Sequence, residues 1–361
     1  MRSETSSEPP VSTSGNGSCC YLALLIFGLT LQAADNPPFS RDVRACAACH
    51  AEESKSHPAT SMAHAAETVA ECAVLRSHPL MTIALGRYSY KIERKGDESI
   101  YSVSNGADTL TVPIKYSLGL GAAGQTYVFE NDGQLFESFV SYYKALDGLD
   151  ITIGDQPLQP SSLRDAAGRL LGAHEVALCF GCHTTDSIHD GRLARESLIP
   201  GIQCEGCHGP SAEHVAAMKK GDAQLGAMKK LGKMTAEDSA QFCGQCHRTW
   251  DYVATHGPFN AGNVRFQPYR LTISKCFDVD DPRIACTTCH DPHRSVGLTA
   301  VQYDAKCQAC HAGGQPAARI CKVAAKDCAT CHMPKIELPG SHHRFTDHNI
   351  RIVAKNGAYP N

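Results

Sequence analysis

The pentapeptide Cys-x-x-Cys-His occurs seven times in 361 residues, at Cys46–His50, Cys179–His183, Cys204–His208, Cys243–His247, Cys286–His290, Cys307–His311 and Cys328–His332. Two thiols at this spacing can each bond to one edge of a porphyrin, and the imidazole beside the second is placed to bind the iron from one side. The repeat therefore predicts seven covalently attached haems c. Their thioethers would come from Cys46, Cys49, Cys179, Cys182, Cys204, Cys207, Cys243, Cys246, Cys286, Cys289, Cys307, Cys310, Cys328 and Cys331. Their proximal ligands would be His50, His183, His208, His247, His290, His311 and His332. Paired Cys-x-x-Cys units also make zinc half-sites, but zinc does not require His directly after the second Cys. With 18 His in 361 residues, seven such placements by chance are on the order of one in a billion.

Five cysteines stand outside the repeat: Cys19, Cys20, Cys72, Cys276 and Cys321. Covalent haem attachment takes place outside the bacterial cytoplasm, where disulfides also persist. Cys276 and Cys321 each precede a motif and are read as a candidate pair, which leaves Cys72 unassigned. The apolar run from Cys19 to Leu31, followed by QAAD, suits the core of a signal peptide and is too short to span a bilayer. A periplasmic or extracellular location follows, with no transmembrane segment in the mature chain. The formal charge of −3 becomes more negative once each haem adds two propionates, and nothing points to nucleic acid.

The repeat is unevenly distributed. His50 stands alone, and six motifs then crowd between Cys179 and His332. That is too little chain to bury six porphyrins inside an ordinary side-chain core. The expected fold is mainly α and irregular, with haems forming the core, plus a small antiparallel β subdomain. The β reading rests on alternating runs between Tyr88 and Ile153, separated by turn signals such as Asn131-Asp132-Gly133. The division expected is a signal peptide over 1–34, a first haem segment over 35–79, the β subdomain over 80–160 and a six-haem cytochrome domain over 161–361. Ala212 to Met234 reads as a helix exposing Lys219, Lys220, Lys229 and Lys230, and Thr235-Ala-Glu-Asp238 as the cap of the next helix.

Eleven histidines remain for the far sides of the irons. His293, three residues beyond His290, should reach a neighbouring haem, and His214 follows the same logic six residues beyond His208. His348 is a further candidate, with Asp347 orienting its ring. His64 is the candidate for the isolated first haem, with Met62 as rival. His174 and His189 flank the second motif, and one of His342 and His343 is expected to bind iron, with His342 taken first. For each of His57, His78 and His256, a surface or hydrogen-bonding role stands at least level with iron ligation. Arg265 and Arg270, in the cluster Asn263–Arg270 beyond Arg248 and Trp250, are expected to pair with haem propionates. The alternative for that cluster is an anion pocket beside an open iron.

Several segments resemble the multihaem cytochrome c superfamily that includes pentahaem nitrite reductase, hydroxylamine oxidoreductase and octahaem tetrathionate reductase. The nearest likeness is to its cytochrome c-552/4-like group. The matching residues are Cys179–His183, Pro200–Pro210 with His214, Cys289–His293, Cys331–Lys335 and Thr346–His348, together with Gly124–Tyr127 and Ser141–Tyr143. The resemblance implies mostly bis-His haems in stacked pairs. It does not carry enzymatic activity over, because no Cys-x-x-Cys-Lys motif occurs. The expected function is electron transfer through closely packed haems, as a carrier more than an enzyme. Its partners would be redox proteins or a quinol-oxidising complex, neighbouring cytochromes, or further copies in an oligomer. The alternatives are a reductase of nitrogen or sulfur oxyanions with one open haem, and a subunit of an extracellular electron conduit.

Overall fold

Between Ala66 and Leu170 the apolar residues alternate along short runs, and a computed structural model of the chain shows those runs paired into one antiparallel sheet. The structure describes residues 39, 44–156, 158–222, 228, 231–312, 321 and 323–353. The expected signal peptide, with Cys19 and Cys20, lies outside the described residues, as do Lys229 and Lys230. Eight strands make up the sheet. They are β1 (Ala66–Thr68), β2 (Leu80–Leu85), β3 (Tyr88–Lys95), β4 (Glu98–Ser104), β5 (Thr109–Leu118), β6 (Thr126–Asn131) and β7 (Gln134–Ser138), with a last strand at Gly168–Leu170. Val140–Tyr143 and Gly148–Ile151 pair separately, as β8 and β9; the strand Gly168–Leu170 is β10. The strand order is β10-β7-β6-β5-β4-β3-β2, with β1 laid against β5.

The register follows from burial at every second position. Tyr90 lies opposite Val103 and Ile92 opposite Tyr101, and all four are buried. Phe129 lies opposite Phe136, their rings stacked 5.3 Å apart. The β6–β7 hairpin closes through Asp132 and Gly133, both with positive φ, which is the turn whose twist matches the flanking strands. Cys72 is fully buried under this sheet and its thiol donates to Gln125 Oε1 at 3.3 Å. It therefore belongs to the core of the β region. Strands β1 and β10 carry the sheet beyond the 80–160 span on both sides.

From Ala173 onward the architecture changes to short helices joined by loops and two-residue bridges. The helix read over Ala212 to Met234 is shorter than expected. It runs over Ala212–Lys219, and Gly221 follows at a φ of 76°, a conformation that ends a helix. Thr235 does cap the next helix, Ala236–His247, by accepting from the Asp238 amide at 3.1 Å. No helix among the described residues is long and apolar enough to cross a membrane.

Candidate multihaem centre

Six of the seven motifs fall wholly or largely on helical turns, and the first begins on one, at Arg44–Ala47. The helices Ala173–His183, Ala236–His247 and Ala300–His311 end on their motifs, while Cys204–His208, Cys286–Cys289 and Cys328–His332 are little more than the motif itself. On a helix, positions i, i+3 and i+4 share one face. The two thiols and the imidazole of each helical motif therefore project to the same side, as attachment to a single planar group requires.

Polar side chains place the motifs against one another. Asp304 is buried on the helix that carries the sixth motif, and it accepts the amides of Asp327 and Cys328 at 2.7 and 2.8 Å. It thereby caps the seventh motif's helix, and those amides hold its carboxyl below the ordinary range against the pull of burial. Ser239, on the fourth motif's helix, accepts the Cys286 amide at 2.8 Å and so fixes the fifth motif. Glu205 accepts the Ser211 amide at 2.7 Å. That bond turns the chain after the third motif back on itself and aims the helix bearing His214. Gly201 is required for close approach, since a Cβ there would stand 1.9 Å from the Ala63 carbonyl oxygen at a φ of 72°. The segment before the third motif thus docks on the first-haem segment, where the Ile202 amide donates to the Met62 carbonyl at 2.8 Å.

Three pairs of imidazoles face one another at nearly the same distance. The ring centroids are 6.3 Å apart for His50 and His214, 6.1 Å for His208 and His293, and 6.2 Å for His290 and His348. An imidazole nitrogen sits about 2 Å from a bound transition metal and about 1.1 Å from its own ring centre, so two rings across one ion stand about 6.2 Å apart. In each pair one ring belongs to a motif and the other does not. The residues present therefore fit six-coordinate haem at the first, third and fifth motifs. Ring orientation is fixed from behind, as metal-binding His requires. Nδ1–H donates to the Ala65 carbonyl from His183 at 2.7 Å, to the Arg351 carbonyl from His332 at 2.9 Å and to the Thr346 carbonyl from His348 at 3.0 Å. Burial holds His348 neutral, its pKa lowered to about 4, and lowers His183, His247 and His290 too. A cavity of about 390 Å³ opens beside the fifth motif, lined by Cys289, His290, Arg294, Leu298 and Lys306 among others.

Comparisons with known proteins match parts of the sequence to c-type cytochromes. Residues 160–209 match the family described as cytochrome c554 and c-prime, and residues 280–316 match the doubled CXXCH motif. The chain is similar to the multiheme cytochrome MtrA of Shewanella baltica (strain OS185), with 23% identity over 193 residues. Together these matches support placement in the multihaem cytochrome c superfamily. The aligned part covers 49% of this chain and 49% of that relative, so the match spans about half the relative's length. No solved structure matches.

The remaining candidate histidines are placed differently. Both nitrogens of His64 are engaged, with Glu67 at 2.8 Å and the Pro58 carbonyl at 2.7 Å. His174 is exposed at the start of its helix. His189 is held by Asp186 at 2.8 Å and His342 by Asp150 at 2.8 Å. His343 packs on Phe345, His256 on Tyr252, and His78 lies between Asp147 and Val74. His57 is buried, and burial together with the neighbouring His293 and His208 lowers its pKa. It therefore lies beside the His208–His293 pair, a placement with no local sequence signal.

Arg270, expected to pair with a propionate, is fully buried and bonded to Asp347 through two contacts of 2.9 and 3.0 Å. Asp347 faces Arg270 and makes no direct bond to the His348 ring, whose Nδ1–H donates to the Thr346 carbonyl, so any hold it has on that ring acts through the backbone. The basic residue next to Arg265 is Arg248, which lies over the Tyr252 ring. The expected Cys276–Cys321 bridge is not formed: both are free, Cys276 lies near Cys307 and Cys310, and Cys321 is exposed.

The motif sulfurs also touch across motifs. Cys182 lies beside Cys246, Cys243 beside Cys286, and Cys307 beside Cys328. Cys207 lies near Cys243 and Cys246, and Cys289 near Cys307. Since these residues are more than ten positions apart in sequence, only the fold could reveal the contacts.

Proposed function

We propose that this cytochrome carries seven haems c and passes electrons along a branched row of them outside the cytoplasm. The observation that carries the reading is the trio of imidazole pairs, 6.1–6.3 Å between centroids, each formed by one motif His and one distant His. On this reading His214, not His64, is the sixth ligand at the first haem, His293 at the third and His348 at the fifth. Haem supplies reversible one-electron exchange at iron, and the protein supplies ligands, spacing and solvent exclusion. The chain's own contacts order the attachment points. The first and third motifs are joined through Glu205 and His214, and the third meets the fourth through Cys207. The fourth meets both the second and the fifth, and the fifth, sixth and seventh follow in line. The direction of flow is set by the donor and acceptor, which are other redox proteins or a quinol-oxidising complex.

The oxyanion-reductase reading has one observation in its favour. Arg248 and Arg265 lie close together, and among the described residues neither has a carboxylate partner. With Arg270 engaged by Asp347, that basic cluster is smaller than the sequence suggested. An EPR spectrum of the oxidised holoprotein, with and without nitrite or cyanide, separates the two. A carrier gives low-spin signals that added ligand leaves unchanged. A high-spin signal that shifts with nitrite would overturn the carrier reading.

A further inference from the structure

The segment from Asp347 to Arg351 has no regular secondary structure, yet it holds one haem-facing imidazole and the acceptor for another. Asp347 is its hub. Its carboxylate accepts two bonds from Arg270 at 2.9 and 3.0 Å, one from Arg351 at 2.6 Å and the Asn349 amide at 3.0 Å. Burial opposes its charge, and the Arg270 and Asn349 bonds, with the Arg270 charge, hold the carboxyl below its ordinary range. Arg270 is fixed in turn on a helix, Gln267–Thr272, beside Asn263 at 3.3 Å.

Two arms leave this hub. On one side the next residue is His348, whose carbonyl accepts from Ser274 Oγ at 3.0 Å while the same hydroxyl receives the Ile350 amide at 2.8 Å. That arm stands His348 across from His290 at 6.2 Å. On the other side Arg351 bonds to the carboxylate through its guanidinium and offers its carbonyl to His332 Nδ1 at 2.9 Å. A buried ion pair is weak evidence for stability, since apolar replacements often do as well, and its best-attested role is to fix register. Here it fixes register in a stretch that strands and helices leave unspecified.

We propose that Asp347 is a single positioning residue for two haem centres: it sets His348 opposite His290 and, through Arg351, orients His332 at the seventh motif. The inference rests on the reading that His348 and His332 bind iron. Loss of the Asp347 charge would therefore disturb two haems at once, the fifth through its far ligand and the seventh through the hydrogen bond behind its near ligand.

The test compares three variants of the full haem-loaded protein by EPR and by redox titration. His348→Ala should convert one haem from low to high spin. Arg351→Ala should keep that haem low-spin and shift the signal and potential of a different one. Asp347→Asn should show both changes together. An Asp347→Asn spectrum like wild type, or one carrying only one of the two changes, would overturn the proposal. Should Asp347→Asn fail to accumulate, Arg270→Lys keeps a cation but breaks the two-point grip, and it should show both changes in part; a wild-type spectrum there, or in Arg351→Ala, also overturns it. If His348→Ala itself leaves every haem low-spin, the ligand assignment fails instead, and that outcome is distinct from failure of the hub.

Discussion

The two halves of the described chain fill their interiors in different ways. The β region is packed by large side chains: Tyr90, Tyr101, Tyr127, Phe129 and Phe136 are almost wholly buried in one cluster or its neighbour. Beyond Cys182 the buried apolar residues are mostly small, namely Ala194, Ala217, Ala236, Ala240 and Ala285, with Val253, Val264, Leu271 and Leu338. Helix Ala300–His311 has one buried residue, and it is Asp304. A water-soluble helix ordinarily survives by burying an apolar stripe. These helices present thiols and imidazoles where the stripe would be. On the reading proposed above, haem is the apolar material that the second half lacks, and one chain would use a side-chain core and a cofactor core side by side.

The contrast can be broken most severely at the fifth motif. Replacing Cys286 and Cys289 with Ala should abolish accumulation of the exported holoprotein, because that motif contacts the fourth and sixth and faces His348; haem-stained protein yield checks this. The corresponding insult to the β core is Tyr101→Ala. It removes a fully buried ring that also donates to the Ala167 carbonyl at 2.9 Å, and should cost about 3–5 kcal/mol. Denaturant unfolding followed by tyrosine fluorescence should report that loss, while the haem absorption below the transition stays as in wild type.

A smaller effect is expected at Asp155, buried beside Glu137 with one carboxylate oxygen lacking a hydrogen bond. Burial and then the Glu137 charge raise its pKa from 3.8 to about 6, with Arg169 opposing. Its folded pKa exceeds its unfolded one, so the protonated form favours folding below about pH 4 and that advantage is lost as pH rises through 6. Asp155→Asn should therefore flatten the stability profile between pH 4 and 7 and gain about 2 kcal/mol at neutral pH, read by urea midpoints at several pH values. The smallest effect belongs to Thr299→Ala, which removes the cap on Ala300–His311. An exposed cap of this kind contributes about 1 kcal/mol, and thermal melts should show a shift below that figure if attached haem already pins the helix at Cys307 and Cys310.

The β strands were legible because alternation survives in any sheet with one buried face: YSYKI at Tyr88–Ile92 reads directly as the buried positions Tyr88, Tyr90 and Ile92. The extra strands Ala66–Thr68 and Gly168–Leu170 were not, because three residues are too few to show a period. The motifs were legible because attachment chemistry is local. Their partners were legible only where sequence distance limited the choice, as for His293, which cannot turn back across the ring beside His290. The partner of His50 depends on how the chain folds over 164 positions, and His64 is nearer in sequence but its nitrogens are engaged by Glu67 and Pro58. Arg270 looked available because nothing in its neighbourhood reveals that Asp347, 77 residues away, closes on it.

The claim that haem replaces a side-chain core in the second half is tested most directly by hydrogen exchange, resolved along the chain, on protein made with and without haem attachment. The account predicts that residues 66–170 keep their protection in the haem-free protein while residues 173–353 lose nearly all of theirs. Equal protection of the second half in both forms would contradict it.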